Sequence, residues 1–337
     1  MTRRLLDAAR TARPAAEVGP EVRRFRSSYE AEGRAPAGAA QAENVARYYD
    51  LVTDFYEWGW GQSFHFAVRQ PGDSQSSAIA AHEAWLGREA GLAAGIRAVD
   101  LGCGVGGPMR YLARTTGAHI TGVNLNATQV ARARERAAAE GLADHIEVLH
   151  TDFADLPLPD TCVDVVYTIE ATCHAPDRRG VFAEAFRVLR PGGRFVGYEW
   201  CTTPRYDPQN DEHVRVVKEI EEGNALPPSV GGEVVDEALR AVGFVLKEGR
   251  DVAGDGHPDT PWYKALEGDG GWRAWPRTTV GRSVTGVAVR AMEALRIAPR
   301  GASEVSALLN RAADGLVAGG RLGIFTPMYR FSAVKPG

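Results

Sequence analysis

Residues 99–113 read VDLGCGVGGPMRYLA, and this stretch decides the fold. A short apolar run ends on Asp100. Glycines follow at 102, 104, 106 and 107, and a helix-compatible segment begins at 106. Glycine has no Cβ, so the backbone here can turn sharply and approach a ligand closely. The start of a helix presents backbone N–H groups that favour a negative group. The pattern is therefore strand, glycine-rich turn, helix, with a ligand at the turn.

Such a turn also serves nicotinamide and flavin proteins. The spacing here differs from G-x-G-x-x-G, and an acid, Asp100, stands two residues before the first glycine. That anion would repel a pyrophosphate. It would suit the ammonium of an amino-acid ligand whose carboxylate meets the helix start. The charge argument favours S-adenosylmethionine over a dinucleotide and assigns it to Asp100, Gly102, Cys103, Gly104, Gly106 and Gly107.

Outward from this turn, strands and helices alternate. Residues 96–100, 119–124, 145–150, 163–169 and 194–199 read as strands. Residues 106–114, 127–140 and 178–189 read as helices, the second stopped by Gly141 and the third by Pro191-Gly192-Gly193. This rhythm predicts an α/β fold, a doubly wound, mostly parallel, Rossmann-like sheet with helices on both faces. Upstream, 74–92 reads as a helix. Downstream, 209–222 (with Val214, Val217 and Ile220 on one side) and 234–241 read as helices, and 244–252 and 325–334 as strands.

About 70 residues separate those last strands, too many for a structureless loop. Within them 284–297 and 303–317 fit helices, the latter with Val305, Leu308, Leu309, Ala312, Ala313, Leu316 and Val317 at three-then-four spacing. A helical C-terminal lobe inserted before the last strand is expected. The expected division is an N-terminal mobile arm over 1–44, with a short helix as the alternative for part of it, a core over 45–255 that opens with an aromatic segment, and a substrate lobe over 256–337 that ends in the last strand of the core sheet.

Two more strand ends extend the cofactor set. Asn124 can bind ribose hydroxyls, and Asp152 can accept the adenine amino group with Phe153 against the ring. Gln129, in the helix after Asn124, is counted with them. The plain alternatives are a turn asparagine and a capping aspartate. Asp100, Asn124 and Asp152 all lie at strand C-termini, the ligand edge of an open sheet.

Composition bounds the partners. The 337-residue chain carries a net charge of −4, without the basic footprint of a nucleic-acid binder. The amino terminus lacks the apolar core of a signal peptide, and no run of about 18 apolar residues spans a membrane. Cys103, Cys162, Cys173 and Cys201 match no zinc or redox spacing, which suits reduced thiols in the cytoplasm and no metal.

Several blocks together resemble the sterol 24-C-methyltransferase family from about residue 45 to 336. They are YYDLVTDFYEWGWGQSFHF (48–66), VDLGCGVGGPMRYLA (99–113), ITGVNLNATQVARA (120–133), IEATCHAP (169–176), GYEW (197–200), PWY (261–263) and GLVAGGRLGIFTPMY (315–329). Residues 265–282 depart from the family pattern, and 1–40 match nothing in it. The resemblance implies a class I methyltransferase core with a reversed final strand and a C-terminal lobe over a lipid substrate. It also implies S-adenosylmethionine as methyl donor to a sterol side-chain alkene at C-24, through a carbocation and proton loss, and transient contact with a membrane surface.

That chemistry asks for aromatic faces around a cation and a base near the departing proton. Tyr56, Trp58, Trp60, Phe64, Phe66, Tyr198 and Trp200 suit the aromatic role, several of them equally suited to plain core packing. For the base, Glu170, His174, His65 and Glu57 are candidates, with Glu199 beside them. Glu170 is also placed with the cofactor set. Cys173, close by, suits a small buried hydrophobe. Other readings are carbon methylation of another isoprenoid or prenylated metabolite, O- or N-methylation of a small natural product, and a non-catalytic binding module. The last would predict a degraded loop, yet Asp100, Asp152 and the glycines are intact.

Overall fold

The computed structural model describes residues 18–30, 38–268 and 278–337. Seven strands form one sheet in the order β3-β2-β1-β4-β5-β7-β6. They are β1 Arg97–Leu101, β2 His119–Asn124, β3 Ile146–His150, β4 Val163–Ile169, β5 Leu189–Thr202, β6 Val245–Asp251 and β7 Phe325–Val334. The pairs β1–β2, β1–β4, β2–β3 and β4–β5 are parallel, whereas β6 and β7 pair antiparallel. The expected doubly wound sheet with a reversed final strand is what the chain forms.

Side chains alternate across the sheet. Val99, Leu101, Val123, Val166 and Phe195 pack with Val181, Phe182 and Ala185 of the helix Arg178–Val188 and with Val235 and Leu239 of the helix Gly232–Val242. On the other face, Gly122 stands in register with Asp100. A Cβ on Gly122 would lie 2.7 Å from Met109 of the helix Gly107–Thr116. Helices thus cover both faces, and the switch between β1 and β4 leaves their C-terminal ends side by side.

The chain divides into two compact units. The sheet unit comprises His65–Thr203, Ser229–Pro261 and Thr326–Gly337. The other draws on the described residues up to Phe64, Pro204–Pro228 and Trp262–Phe325. It is helical, with Val18–Glu30, Ala39–Gly59, Asp211–Gly223, Thr279–Ala294 and Ala302–Leu322 as its main helices. The helical insertion between the last two strands is therefore present. Its helix Ala302–Leu322 meets Asp211–Gly223 at small residues. A Cβ on Gly223 would come within 2.6 Å of Ala312, and one on Gly319 within 2.9 Å of Ile220.

Three expectations need correction. Residues 18–30, read within a mobile arm, form a helix whose Val18, Val22, Phe25 and Tyr29 are buried with Tyr48, Leu51 and Val52. Burial of each such side chain is worth about 1.5–3 kcal/mol, enough to order a short helix. Residues 39–44 of the arm belong to the helix Ala39–Gly59, while 1–17 and 31–37, with 269–277 of the divergent stretch, lie outside the described residues. Pro191-Gly192-Gly193 does not precede β5 but lies within it. Val163 pairs with Leu189 and Val165 with Arg194, so the strand bulges over the turn residues. In the helix Asp211–Gly223, Val216, Val217 and Ile220 are buried while Val214 is exposed, so the buried face is rotated from the expected one.

Candidate active site

The end of β1 is built around Asp100, which is buried. The turn after it is anchored to β2. The N–H groups of Gly102 and Cys103 both donate to Val123 O, at 2.9 and 3.0 Å. Gly102 and Gly106 have φ of 87° and 79°, and Gly104 of 54°, the left-handed region that glycine adopts without strain. A Cβ on Gly102 would meet Ala171 at 2.3 Å. The helix Gly107–Thr116 begins at Gly106 with no side-chain cap. Its first-turn N–H groups therefore have no capping side chain of their own.

Burial pushes the Asp100 carboxyl up to about 7, with the Glu83 charge adding to the rise and Tyr167 and His65 opposing it. A buried acid beside an uncapped helix start complements an ammonium and a carboxylate at once. This donor set fits the amino-acid end of S-adenosylmethionine. Cys103 is buried in the same turn, its thiol pushed up by burial and by Asp100.

Asn124 and Gln129 are brought together at the end of β2. Asn124 Nδ2 donates to Gln129 Oε1 at 2.8 Å and to Gly104 O at 3.2 Å, and Asn124 Oδ1 accepts from Asn126 N. Asn126 in turn caps the helix Ala127–Ala139 through Gln129 N. These groups brace the glycine turn against β2. Asp152, after β3, accepts from Ala154 N at 2.8 Å, an Asx turn, and Phe153 leans on the sheet core near Gly102.

The end of β4 carries Glu170, buried and with φ of 54°. A non-glycine residue in that region is uncommon and costs of order 1–3 kcal/mol, a strain that clusters at functional sites. Its backbone N–H donates to Tyr198 O on β5. Its carboxylate is held at both oxygens. Phe66 N donates to Oε1 at 2.7 Å, and Trp200 Nε1 donates to Oε2 at 2.8 Å. Burial pushes Glu170 up to about 7, against His65 and these two donors.

The sheet unit thus collects His65, Phe66, Glu170 and Trp200 from separate parts of the chain. The Phe66 and Trp200 rings lie 5.9 Å apart. His65 Nδ1 lies 2.7 Å from Phe66 O, and its Nε2 lies 3.2 Å from Glu83 Oε1. Burial pulls the His65 imidazolium down, but the Glu83 hydrogen bond and the charges of Glu83 and Glu170 outweigh it and leave it raised.

A methyltransferase-domain model matches residues 99–197, and a sterol methyltransferase C-terminal model matches residues 272–337. A sterol 24-C-methyltransferase of Eremothecium gossypii is 42% identical over 95% of this chain and 87% of its own. A cycloartenol-C-24-methyltransferase of Arabidopsis thaliana is 43% identical over 88% of each chain. The chain belongs to the sterol 24-C-methyltransferase family.

Solved structures agree on the fold. A cyclopropane synthase of Mycobacterium tuberculosis aligns at a TM-score of 0.67 and 20% identity, over 87% of this chain and 98% of that one. A geranyl diphosphate C-methyltransferase of Streptomyces coelicolor aligns at 0.63 and 20% identity, over 89% and 100%.

The remaining candidates of this sterol methyltransferase fall in different settings. Tyr56, Glu57 and Trp58 lie on the helix Ala39–Gly59, followed by Trp60. In that unit Tyr56 and Phe64 rings are 5.5 Å apart, and the Tyr56 and Tyr48 hydroxyls hydrogen-bond at 2.7 Å. In the sheet unit His174 ends the 3-10 turn Thr172–His174 and is buried. Glu199 is wholly buried, accepts from the Thr172 hydroxyl and lies 3.8 Å from Arg178, a structural arrangement. Burial pushes it up, with Arg178 opposing. Cys173 donates to Glu170 O, as a small buried residue would.

Tyr198 departs most from its expected part. It is buried, 3.7 Å from His82 and 5.5 Å from Trp85, so its ring is taken up by packing.

His82 and Glu83, on the helix Gln75–Ala90, are buried polar residues absent from the sequence reading. Burial holds His82 well below the ordinary histidine value, helped by the charges of His65 and Arg330. The signal for His82 was available. Ala78, His82, Leu86 and Ala90 recur every four residues, which sets the histidine on the helix's apolar face. Among the described residues no cluster of three or more His, Cys, Asp or Glu is placed to hold a metal ion.

Proposed function

We propose that this protein methylates a side-chain alkene of a sterol at C-24, with Glu170 as the base that ends the reaction. The observation that carries the role of Glu170 is its carboxylate, buried at the end of β4, raised to about 7 and aimed by two N–H donors. S-adenosylmethionine supplies an electrophilic methyl group on a sulfonium.

Asp100 and the uncapped start of the helix Gly107–Thr116 would hold the amino-acid end of that cofactor. Asn124 and Gln129 take the ribose, and Asp152 and Phe153 the adenine. The substrate's π pair forms the new carbon–carbon bond to the methyl group as the methyl–sulfur bond breaks and its electron pair stays on the departing thioether, and positive charge appears on the neighbouring side-chain carbon. The rings of Phe66 and Trp200 present their electron-rich faces to it. A hydride shift then moves the charge, and Glu170 takes the proton whose loss restores a double bond.

The arrangement suits this order of events. In its ionised form Glu170 is a fixed negative charge near the cation, which lowers the barrier to forming it. At neutral pH a carboxyl near 7 can both accept and release a proton. His65, held between Phe66 O and Glu83, acts as a positioning residue through the Phe66 backbone that carries the N–H on Glu170.

The test is a substrate panel with labelled S-adenosylmethionine: a sterol with a side-chain double bond, its saturated analogue, a prenyl diphosphate and a phenol. Label in the unsaturated sterol alone is expected. Label on the saturated sterol's hydroxyl would overturn the reading.

A further inference from the structure

The helix Thr279–Ala294 is apolar on two faces. Inward, Val289 is fully buried with Ala298 and Ala302, and Met292 packs against them. Outward, Val280, Val284 and Val287 are 65%, 48% and 62% exposed. At 100° per residue these valines share a face with Ser283, Ala291 and Ala294, and no charged side chain falls among them. The strip continues past the helix end, where Leu295 is 70% exposed and Ile297 44%. Single exposed apolar residues are ordinary on a protein surface, but a continuous strip of five marks an interaction site.

The charges around the strip say what it meets. Arg290, Arg296 and Arg300 are exposed along its border. Arg296 stands between Leu295 and Ile297 at a backbone φ of 59°, so the turn presents a cation flanked by two apolar side chains. The acid of this segment, Glu293, is turned inward and accepts from Gly301 N at 2.7 Å and Ser303 N at 3.1 Å. Arg282 is paired with Asp314. Arg300 lies within reach of the Glu293 charge, whereas Arg290 and Arg296 are exposed beside the strip, on a chain whose net charge is −4. Apolar side chains fringed by arginine are what an interfacial helix presents to anionic lipid.

We propose that the face formed by Val280, Val284, Val287, Leu295 and Ile297, with Arg290, Arg296 and Arg300, docks on an anionic bilayer surface. The helix lies in the plane of the interface and does not cross it. No helix of the described residues is long and apolar enough to span a membrane. The inference rests on the proposed function for its purpose: a sterol resides in membrane, so docking brings the enzyme to its substrate.

The experiment uses the full chain and two kinds of sucrose-loaded vesicle: phosphatidylcholine alone, and phosphatidylcholine with about a third phosphatidylglycerol. Binding is read by co-sedimentation. The comparison variant is Val284→Asp/Val287→Asp, checked for an unchanged thermal midpoint and for normal turnover of detergent-dispersed sterol. Adding two charges and withdrawing two valines should lower partition to the anionic vesicles by about tenfold or more. Binding should be weaker on phosphatidylcholine alone and should weaken as salt is raised. A second variant, Arg290→Gln/Arg296→Gln, keeps the valines and should lose the preference for anionic lipid.

Equal sedimentation of wild type and the valine variant would overturn the proposal. So would failure of the wild type to sediment. So would a wild-type dimer that the valine substitutions split, which would give the face to a second copy. Loss of vesicle binding with retained detergent turnover supports docking. Loss of detergent turnover by the wild-type chain would strike the proposed function instead.

Discussion

The ends of β1 and β4 each carry a buried carboxylate raised to about 7, and the two are held differently. Glu170 is fixed by N–H donors on both oxygens and sits on a strained backbone. Asp100 lies beside the Tyr167 side chain and next to a turn of glycines and an uncapped helix start. The same desolvation thus serves two purposes. At β4 it gives a carboxylate whose orientation the protein supplies, as the proposed base requires. At β1 it makes an acid whose counter-charge comes best from a ligand.

Substitutions at the two ends should separate these purposes. The largest effect is expected from Glu170→Gln. It preserves shape and removes the proton acceptor, so turnover should fall by about 10²–10⁴-fold with the sterol substrate. Single-turnover kinetics would check this. A rate within a few-fold of wild type would dismiss Glu170 as the base.

Next comes Gly102→Ala, which forces a side chain onto a φ of 87° and against Ala171 at 2.3 Å. Strain and overpacking together should cost about 2–4 kcal/mol in denaturant unfolding.

pH sharpens the comparison further. A base that must be ionised gives a turnover that rises through about pH 7, as the Glu170 value requires. Cofactor affinity should rise through the same range, because Asp100 must be ionised to meet an ammonium, and should fall by about tenfold per unit below it. Stability of the cofactor-free protein runs the other way. Both acids are raised above their ordinary values of 3.8 and 4.5, so the folded chain holds protons that the unfolded chain releases. Stability from these groups is present below about 4 and lost as pH climbs to about 7, by order 1 kcal/mol per unit per group. Melting curves against pH should flatten in Asp100→Asn and Glu170→Gln.

The smallest effect expected is that of Trp200→Phe. It keeps an aromatic face but removes one donor to Glu170. Turnover should drop by about three- to tenfold, and its pH profile should shift upward, since one stabiliser of the anion is gone. An unmoved profile would mean that the Trp200 hydrogen bond does not tune the base.

The two ends were also unequally legible in the sequence. At β1 the message is local: an acid, glycines at set spacing and a helix start lie within eight residues, and chain-local physics fixes what they can bind. β2, β4 and β7 were readable to the residue because alternation and turn signals bound them. At β4 the message is distributed. Glu170 was a candidate by its place after a strand, but its donors come from Phe66 and Trp200, 104 and 30 residues away. Glu83 was hidden because a glutamate within a helix reads as solvated until its face is assigned.

The same limit explains the errors. Pro191-Gly192-Gly193 spells a stop, yet pairing with β4 carries the strand through it as a bulge. In residues 18–30 the apolar period of Val18, Val22, Phe25 and Tyr29 is present but was masked by the Ala-, Arg-, Pro- and Gly-rich composition around it, and the partner it packs on, Tyr48 with its ring 5.4 Å from that of Phe25, lies outside the segment.

The central claim is that Asp100 serves the cofactor and Glu170 the substrate. Titration calorimetry of S-adenosylmethionine into Asp100→Asn and Glu170→Gln tests it most directly. The account predicts a dissociation constant raised by about a hundredfold in Asp100→Asn, since a charge-assisted contact is lost, and one within about threefold of wild type in Glu170→Gln. Equal affinity in Asp100→Asn, or a large loss in Glu170→Gln, would contradict it.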